Sequence, residues 1–197
     1  MITKLFTALL LASLPVLSSA AEVAPASDWI EHSRRLALQL GSELKAELGK
    51  AMAAGGPVAA ISVCRERAPA IAARLSRESG ATVGRTALRV RNPANAPDEL
   101  QRTLLEQFGS ELASGKFTPP LEAAFEMRRG ELVERRYMRA IPTEPVCLTC
   151  HGKALTPELA AAIARDYPED QATGFEQGQL RGAFTVAWPA AAPSSGH

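Results

Sequence analysis

The segment Cys147-Leu148-Thr149-Cys150-His151 constrains this chain more than any other feature. Two cysteines separated by two residues and followed at once by histidine form the pattern for covalent attachment of a c-type haem. The chemistry sets the spacing. Each thiol adds across one haem vinyl group to form a thioether, and one tight turn lets two thiols reach two vinyls on the same porphyrin edge. The adjacent imidazole then meets the iron from one face. On this reading the chain is organised around a single covalent haem c. A Cys₃His zinc site from Cys64, Cys147, Cys150 and His151 is a rival, but adjacent Cys150 and His151 suit one tetrahedral ion poorly. A thioredoxin-type dithiol should open a helix after a strand, whereas here Pro145 precedes the motif and Gly152 closes it.

The beginning of the chain fits that chemistry. Met1 to Ala20 read as a secretory signal peptide: Lys4 gives the positive start, Leu5 to Leu17 the apolar stretch, and Ser18-Ser19-Ala20 the small cleavage residues. The run is short and interrupted by Pro15, below the ~20 residues of a membrane span, so no stable membrane insertion is expected after cleavage. The expected destination is the bacterial periplasm, where haem c is attached. Residues 27–189 suit one domain with its own core, and the Ala/Pro/Ser/Gly-rich end, residues 190–197, reads as a flexible tail. The formal net charge of +1 does not suggest nucleic acid as a partner.

Of the three cysteines, the motif consumes two and leaves Cys64 single in an oxidising compartment. It is then buried and inert, paired between subunits, or an iron ligand. Arg65 and Arg67 beside it would favour a thiolate, yet the apolar run before it makes the residues alone favour an inert thiol.

Patterning places these groups. Ser27 to Met52 reads as a long helix with Trp29, Leu36, Leu40, Leu44 and Leu48 on one stripe. Gly55-Gly56-Pro57 breaks it, and Pro57 starts a short helix leading to Cys64. A second helix covers Ala68 to Ser79, and Thr82 to Val90 reads as a strand. Asn92-Pro93-Ala94-Asn95 is a turn, and Pro97 to Ala113 a helix. Leu121 to Met127 and Glu131 to Ile141 flank a hairpin connection at Arg128-Arg129-Gly130, with a bulge in the second arm. Thr156-Pro157-Glu158 starts a helix ending near Asp166, and Ala183 to Trp188 is a last strand. Four strands with a hairpin and inserted helices predict an α+β fold. Arg85, Arg89 and Arg91 alternate along one predicted strand, where a shared face meets either the haem propionates or solvent. Met127 and Met138 could be axial ligands but sit on predicted strands and read as core. His32 reads as a solvated helix residue, and Tyr137 and Trp188 as packing residues.

A resemblance joins these pieces. The stretch Gly56 to Cys64 followed by Ala68-Pro69, then Val83-Gly84-Arg85-Thr86, Leu88 to Pro97, and Arg139-Ala140-Ile141-Pro142 leading into Cys147 to Gly152 resemble a family of bacterial haem c domains long catalogued as a domain of unknown function. The resemblance spans Trp29 to Trp188. It implies a PAS-like fold, an antiparallel sheet flanked by helices behind a long N-terminal helix. It implies His151 and Cys64 as the two axial ligands, reversing the preference for an inert thiol. It also implies a secreted single domain or a sensor module of a membrane receptor.

A thiolate ligand stabilises ferric over ferrous iron, so His/Cys ligation implies a low reduction potential with both faces closed. That set suits a redox or gas sensor, in which reduction frees the sulfur and a diatomic gas enters. It suits equally a low-potential electron-transfer protein. The expectation is a non-enzymatic protein; a ligand-gated haem enzyme is a third class, which peroxide turnover would reveal. The redox or signalling partner is not named by the sequence, and the first helix is a candidate homodimer element.

Overall fold

The computed structural model describes residues 28–191. The expected signal peptide and the tail from residue 192 onward lie outside the described residues. Helix α1, Asp28–Ser62, takes its first half from the predicted apolar stripe: Leu36, Ala37 and Leu40 are buried. Its direction changes at Gly55 and Gly56, where the backbone leaves helical angles (Gly56 φ 68°). Only glycine enters that left-handed region without cost, so the expected break falls at the residues that permit it. Pro57 follows as the first residue of the second limb. A π-helical stretch, Val63–Arg67, carries Cys64 into helix α2, Ala68–Ser79. Such widened turns recur at functional sites.

Strand β1 covers Thr82–Thr86, shorter than the predicted Thr82 to Val90. The chain leaves the sheet because the Thr86 hydroxyl donates to the Asn95 carbonyl (3.0 Å) and a 3₁₀ turn forms at Pro93–Asn95, where the Asn92 side chain accepts from the Ala94 amide. Helix α3, Glu99–Ser114, starts inside the predicted Pro97 because Asp98 and Gln101 form a capping box. Strands β2, Glu122–Arg129, and β3, Leu132–Pro142, form the expected hairpin. Its loop is Gly130-Glu131 rather than Arg128-Arg129-Gly130: Arg129 pairs with Leu132, and Gly130 takes φ 63° at the first turn position. Strand β4, Leu180–Ala191, is longer than predicted and includes Ala190 and Ala191, which composition alone assigns to the tail. The β3–β4 pairing shifts register twice, between Val133 and Arg135 and between Ile141 and Pro142. The irregularities therefore lie in the β3–β4 ladder, not between the two arms of the hairpin.

The sheet is antiparallel throughout, in the order β1-β4-β3-β2. The twofold alternation of strand side chains divides the core. Tyr137 and Val186 point to one face and pack under α1 and α2 with Leu40, Leu75 and Val83. Met138 and Ala183 point to the other and pack against Leu105 and Phe108 of α3. Met138 is thus core, as expected. Trp188 donates its Nε1 proton to Ser33 Oγ (2.9 Å), and Tyr137 donates to Glu122 Oε2 (2.7 Å). His32 is only partly solvated: it is half-buried with its ring against Trp188, centroids 4.9 Å apart. The result is an α+β fold, a long N-terminal helix over a four-stranded antiparallel sheet with helices on both faces. Among the described residues no helix is long and apolar enough to cross a membrane.

Candidate haem site

The Cys-x-x-Cys-His segment folds as a short 3₁₀ turn, Pro145–Cys147, running into one turn of helix, α4, Leu148–His151. Pro145 suits the first position of such a turn. Helical winding brings residues three apart to one face, so Cys147 and Cys150 stand side by side. All three cysteines are free thiols and half-buried. Helix α5, Pro157–Asp166, begins where predicted, with Thr156 as its cap, and buries Leu159, Ala162 and Ile163 against Ile61 and Cys150.

The segment after α5 braces the motif through the backbone. Phe175 N–H donates to the His151 carbonyl and Gly174 N–H to the Gly152 carbonyl, both at 2.9 Å. The His151 ring completes the brace, with Nδ1 2.6 Å from the Ala172 carbonyl oxygen. A carbonyl can only accept, so Nδ1 carries the proton and Nε2 keeps its lone pair. Burial, then the Arg181 and Arg91 charges, hold the imidazole far below its ordinary range, to about 2, against the pull of the Ala172 bond. His151 is therefore neutral at any ordinary pH, the state a metal ligand requires.

A cleft opens beside this turn, at one end of the α1 face of the sheet. The stripe of α1 that buries Leu36 and Leu40 continues as Leu44, Leu48 and Met52 along the cleft wall. Beyond the glycine kink, Ile61 and Cys64 line the same space, as do Cys147, Cys150 and His151. The structure thus brings Cys64 to the motif across more than eighty residues of chain. Arg65 and Arg67 do not govern its charge environment as expected. Arg65 reaches Glu66 (3.0 Å) and Asp166 (3.6 Å), and Arg67 reaches Glu47 (3.1 Å). The arginines that share the cleft with Cys64 are Arg85, Arg91 and Arg181.

The three predicted arginines do not share a strand face, because β1 ends at Thr86. Arg85 alone remains on it and enters the cleft. Arg89 instead lies over the Phe175 ring (4.2 Å), donates to the Gln171 carbonyl and lines a separate hollow beside α3. Arg91 is buried and committed: its Nε lies 3.0 Å from Asp170 Oδ1, and its Nη2 donates to the carbonyls of Cys150 (2.8 Å) and Ala172 (3.3 Å). It clamps the motif while also lining the cleft. Arg181 has no motif around it and escaped sequence reasoning; it lies just before the predicted last strand. Among the described residues neither Arg85 nor Arg181 has a carboxylate partner. Burial pushes the Arg85 guanidinium down. Burial, then the Arg91 and Arg85 charges, push Arg181 down to about 10. Two half-buried guanidinium groups without counter-ions make the cleft a place for a ligand with an apolar body and anionic groups.

Met127 and Met138 do not line the cleft. Among the described residues no three His, Cys, Asp or Glu side chains converge as a metal-ion cluster, so the Cys₃His zinc arrangement is not formed.

Comparison with known proteins places this geometry. A sequence model of the Tll0287-like family matches residues 18–189. A crystal structure described as that of the cyanobacterial heme-protein Tll0287 superposes with a TM-score of 0.51 at 31% identity, covering 67% of this chain and 74% of that one. Among curated proteins none matches.

Proposed function

This chain belongs to the Tll0287-like family, and we propose that it is an exported c-type haem protein acting as a redox or gas sensor, with His151 and Cys64 as axial ligands. The observation that carries the reading is the meeting of Cys64 with Cys147, Cys150 and His151 in one cleft, with His151 Nδ1 engaged by a backbone carbonyl. The residues fit the group. Cys147 and Cys150, one helical turn apart, would form the two thioethers. Leu44, Leu48 and Phe184 supply an apolar bed, and Arg85 and Arg181 supply cations for two propionates. Haem bound there would supply an iron that exchanges one electron and takes up a diatomic gas when one face opens.

The chain's own part is to fix one ligand and free the other. His151 is locked by Ala172, Gly174 and Phe175 on one side and by the Arg91 clamp behind Cys150 on the other. Cys64 stands instead on a π-helical stretch reached through a glycine kink. A rigid histidine opposed to a releasable thiolate favours sensing, since loss of the sulfur on reduction couples iron chemistry to the position of α1. The second reading is a low-potential electron-transfer protein. It draws on Val146, an exposed apolar residue beside Cys147 at the cleft mouth, where a partner could approach the haem edge.

Optical spectra of the protein co-expressed with haem-attachment machinery, ferric then ferrous, with and without carbon monoxide, test the proposal. Thiolate-type ferric features that give way to carbon monoxide binding on reduction support the sensor. A low-spin spectrum indifferent to carbon monoxide favours electron transfer. Absence of covalent haem refutes both.

A further inference from the structure

A third donor able to bind iron faces the cleft, and the sequence patterns did not single it out. Met52 lies on the α1 stripe, four residues after Leu48 and eight after Leu44, and lines the same space as Cys64 and His151. Helical rows at this spacing share a face, so Met52 continues the wall against which the haem would lie. Three residues later the helix breaks at Gly55 and Gly56, and Cys64 lines the cleft from beyond the break. Two sulfur donors thus stand on either side of a glycine kink.

Their chemistry differs in the relevant sense. A thiolate is anionic and stabilises ferric iron, whereas a thioether is neutral and soft and stabilises ferrous iron. The other cleft residues with donor atoms are less suited. Tyr167 offers a hard phenol oxygen, and the Lys45 ammonium is held by Glu144 (2.6 Å).

Resting on the haem c reading above, we infer that Met52 is the ferrous-state axial ligand and replaces Cys64 when the iron is reduced. One electron from a one-electron donor converts ferric to ferrous iron. The iron–sulfur bond to Cys64 breaks, and one proton from solvent goes to its sulfur. The bond to the Met52 thioether takes its place, and the Gly55-Gly56 kink between the two sulfurs is where the chain would adjust. Oxidation reverses each step. The ferrous protein is then closed rather than open, and a diatomic gas must displace a thioether.

Met52→Leu tests this, being a swap of similar volume that a packed wall tolerates. Spectra are taken ferric and then dithionite-reduced, with carbon monoxide as the probe. Expected in the variant are full covalent haem, an unaltered thiolate-type ferric spectrum and a ferrous state that turns five-coordinate. Carbon monoxide affinity rises by about tenfold or more, because the competent open form is no longer a minor fraction. The midpoint potential falls by ~59 mV for each tenfold loss of ferrous stabilisation. A second measurement needs no variant. Methionine methyl-labelled wild-type protein should show one methyl resonance shifted far upfield by the haem ring current in the ferrous state alone. A ferrous spectrum and carbon monoxide affinity unchanged in Met52→Leu, with no such resonance in wild type, overturn the inference and leave the His/Cys reading standing. A wild-type ferric spectrum without thiolate features overturns the His/Cys reading itself.

Discussion

Asp170→Asn examines the clamp behind the haem motif. Asp170 Oδ1 accepts from Arg91 Nε at 3.0 Å and from the Ala172 amide at 2.9 Å, while Oδ2 accepts from Arg91 Nη2 at 3.2 Å. Both side chains are less than a tenth exposed. The amide keeps the shape and one acceptor. It removes the charge and sets an NH₂ group, a donor, against the Arg91 Nη2 donor. Neutralising one partner of a buried pair costs about 3–5 kcal/mol, since the other charge stays buried. Arg91 retains the Cys150 and Ala172 carbonyls, so the lower end, about 3 kcal/mol, applies here. At 2–4 °C per kcal/mol for a chain of this size, Tm falls by about 6–12 °C. Urea unfolding of the haem-free protein gives the free energy directly. The same variant carrying haem should show a heterogeneous ferric spectrum, because the Ala172 carbonyl that orients His151 is held through this network. An Arg91→Met/Asp170→Leu double variant should not recover the loss, because it also removes the partners of the Cys150 carbonyl and the Ala172 amide. A cost under about 1 kcal/mol is that of a solvated surface pair, and would refute the argument that the clamp is dry.

Other outcomes follow from the same geometry. Cys64→Ala should retain covalent haem and lose thiolate-type optical features; an identical ferric spectrum would remove Cys64 from the ligand set. A Cβ added at Gly152 would stand 2.4 Å from the Leu148 carbonyl oxygen. Gly152→Ala should therefore open the motif turn, destabilise the chain by about 1–3 kcal/mol and lower the haem-to-protein ratio of purified material; full loading at unchanged stability contradicts it. Burial pushes the Glu122 carboxyl up, but Arg34 and the Tyr137 hydroxyl outweigh that and hold it below the usual carboxylate range. Its folded value is depressed, so its stabilisation is present above the ordinary carboxylate pKa of ~4.3. That contribution is lost as pH falls through the lower folded value. Glu122→Gln should be less stable than wild type at neutral pH, with the gap closing on acidification; a gap that stays constant in urea titrations at each pH refutes the linkage.

The sequence by itself determined what is local. Cys147 to His151 dictates a helical turn with paired thiols, Thr156-Pro157 caps a helix, Gly55-Gly56-Pro57 breaks one, and the turn at Asn92 to Asn95 forms as its side chains direct. These are decided by hydrogen bonds and backbone preferences within a few residues, so a linear pattern contains them. The α1 stripe was legible as a buried face, but not that its first half packs on the sheet while its second half walls a cleft. That division depends on where the sheet ends. Cys64 shows the limit most clearly. Its neighbours in sequence favour an inert thiol, family resemblance implies a ligand, and only the fold carries it to the cleft wall with Cys150. The arginines err for the same reason. Alternation put Arg85, Arg89 and Arg91 on one face, but Thr86 turns the chain to Asn95, and the three side chains go to a cleft, a phenyl ring and a buried carboxylate. Asp170, Arg181 and Met52 carry no local signature. The partners of the first lie 79 and 2 residues away in sequence, and the other two acquire meaning only from the space they line. Local rules assign each segment its conformation, whereas the energy of a buried charge or an unfilled cleft depends on what packing brings next to it.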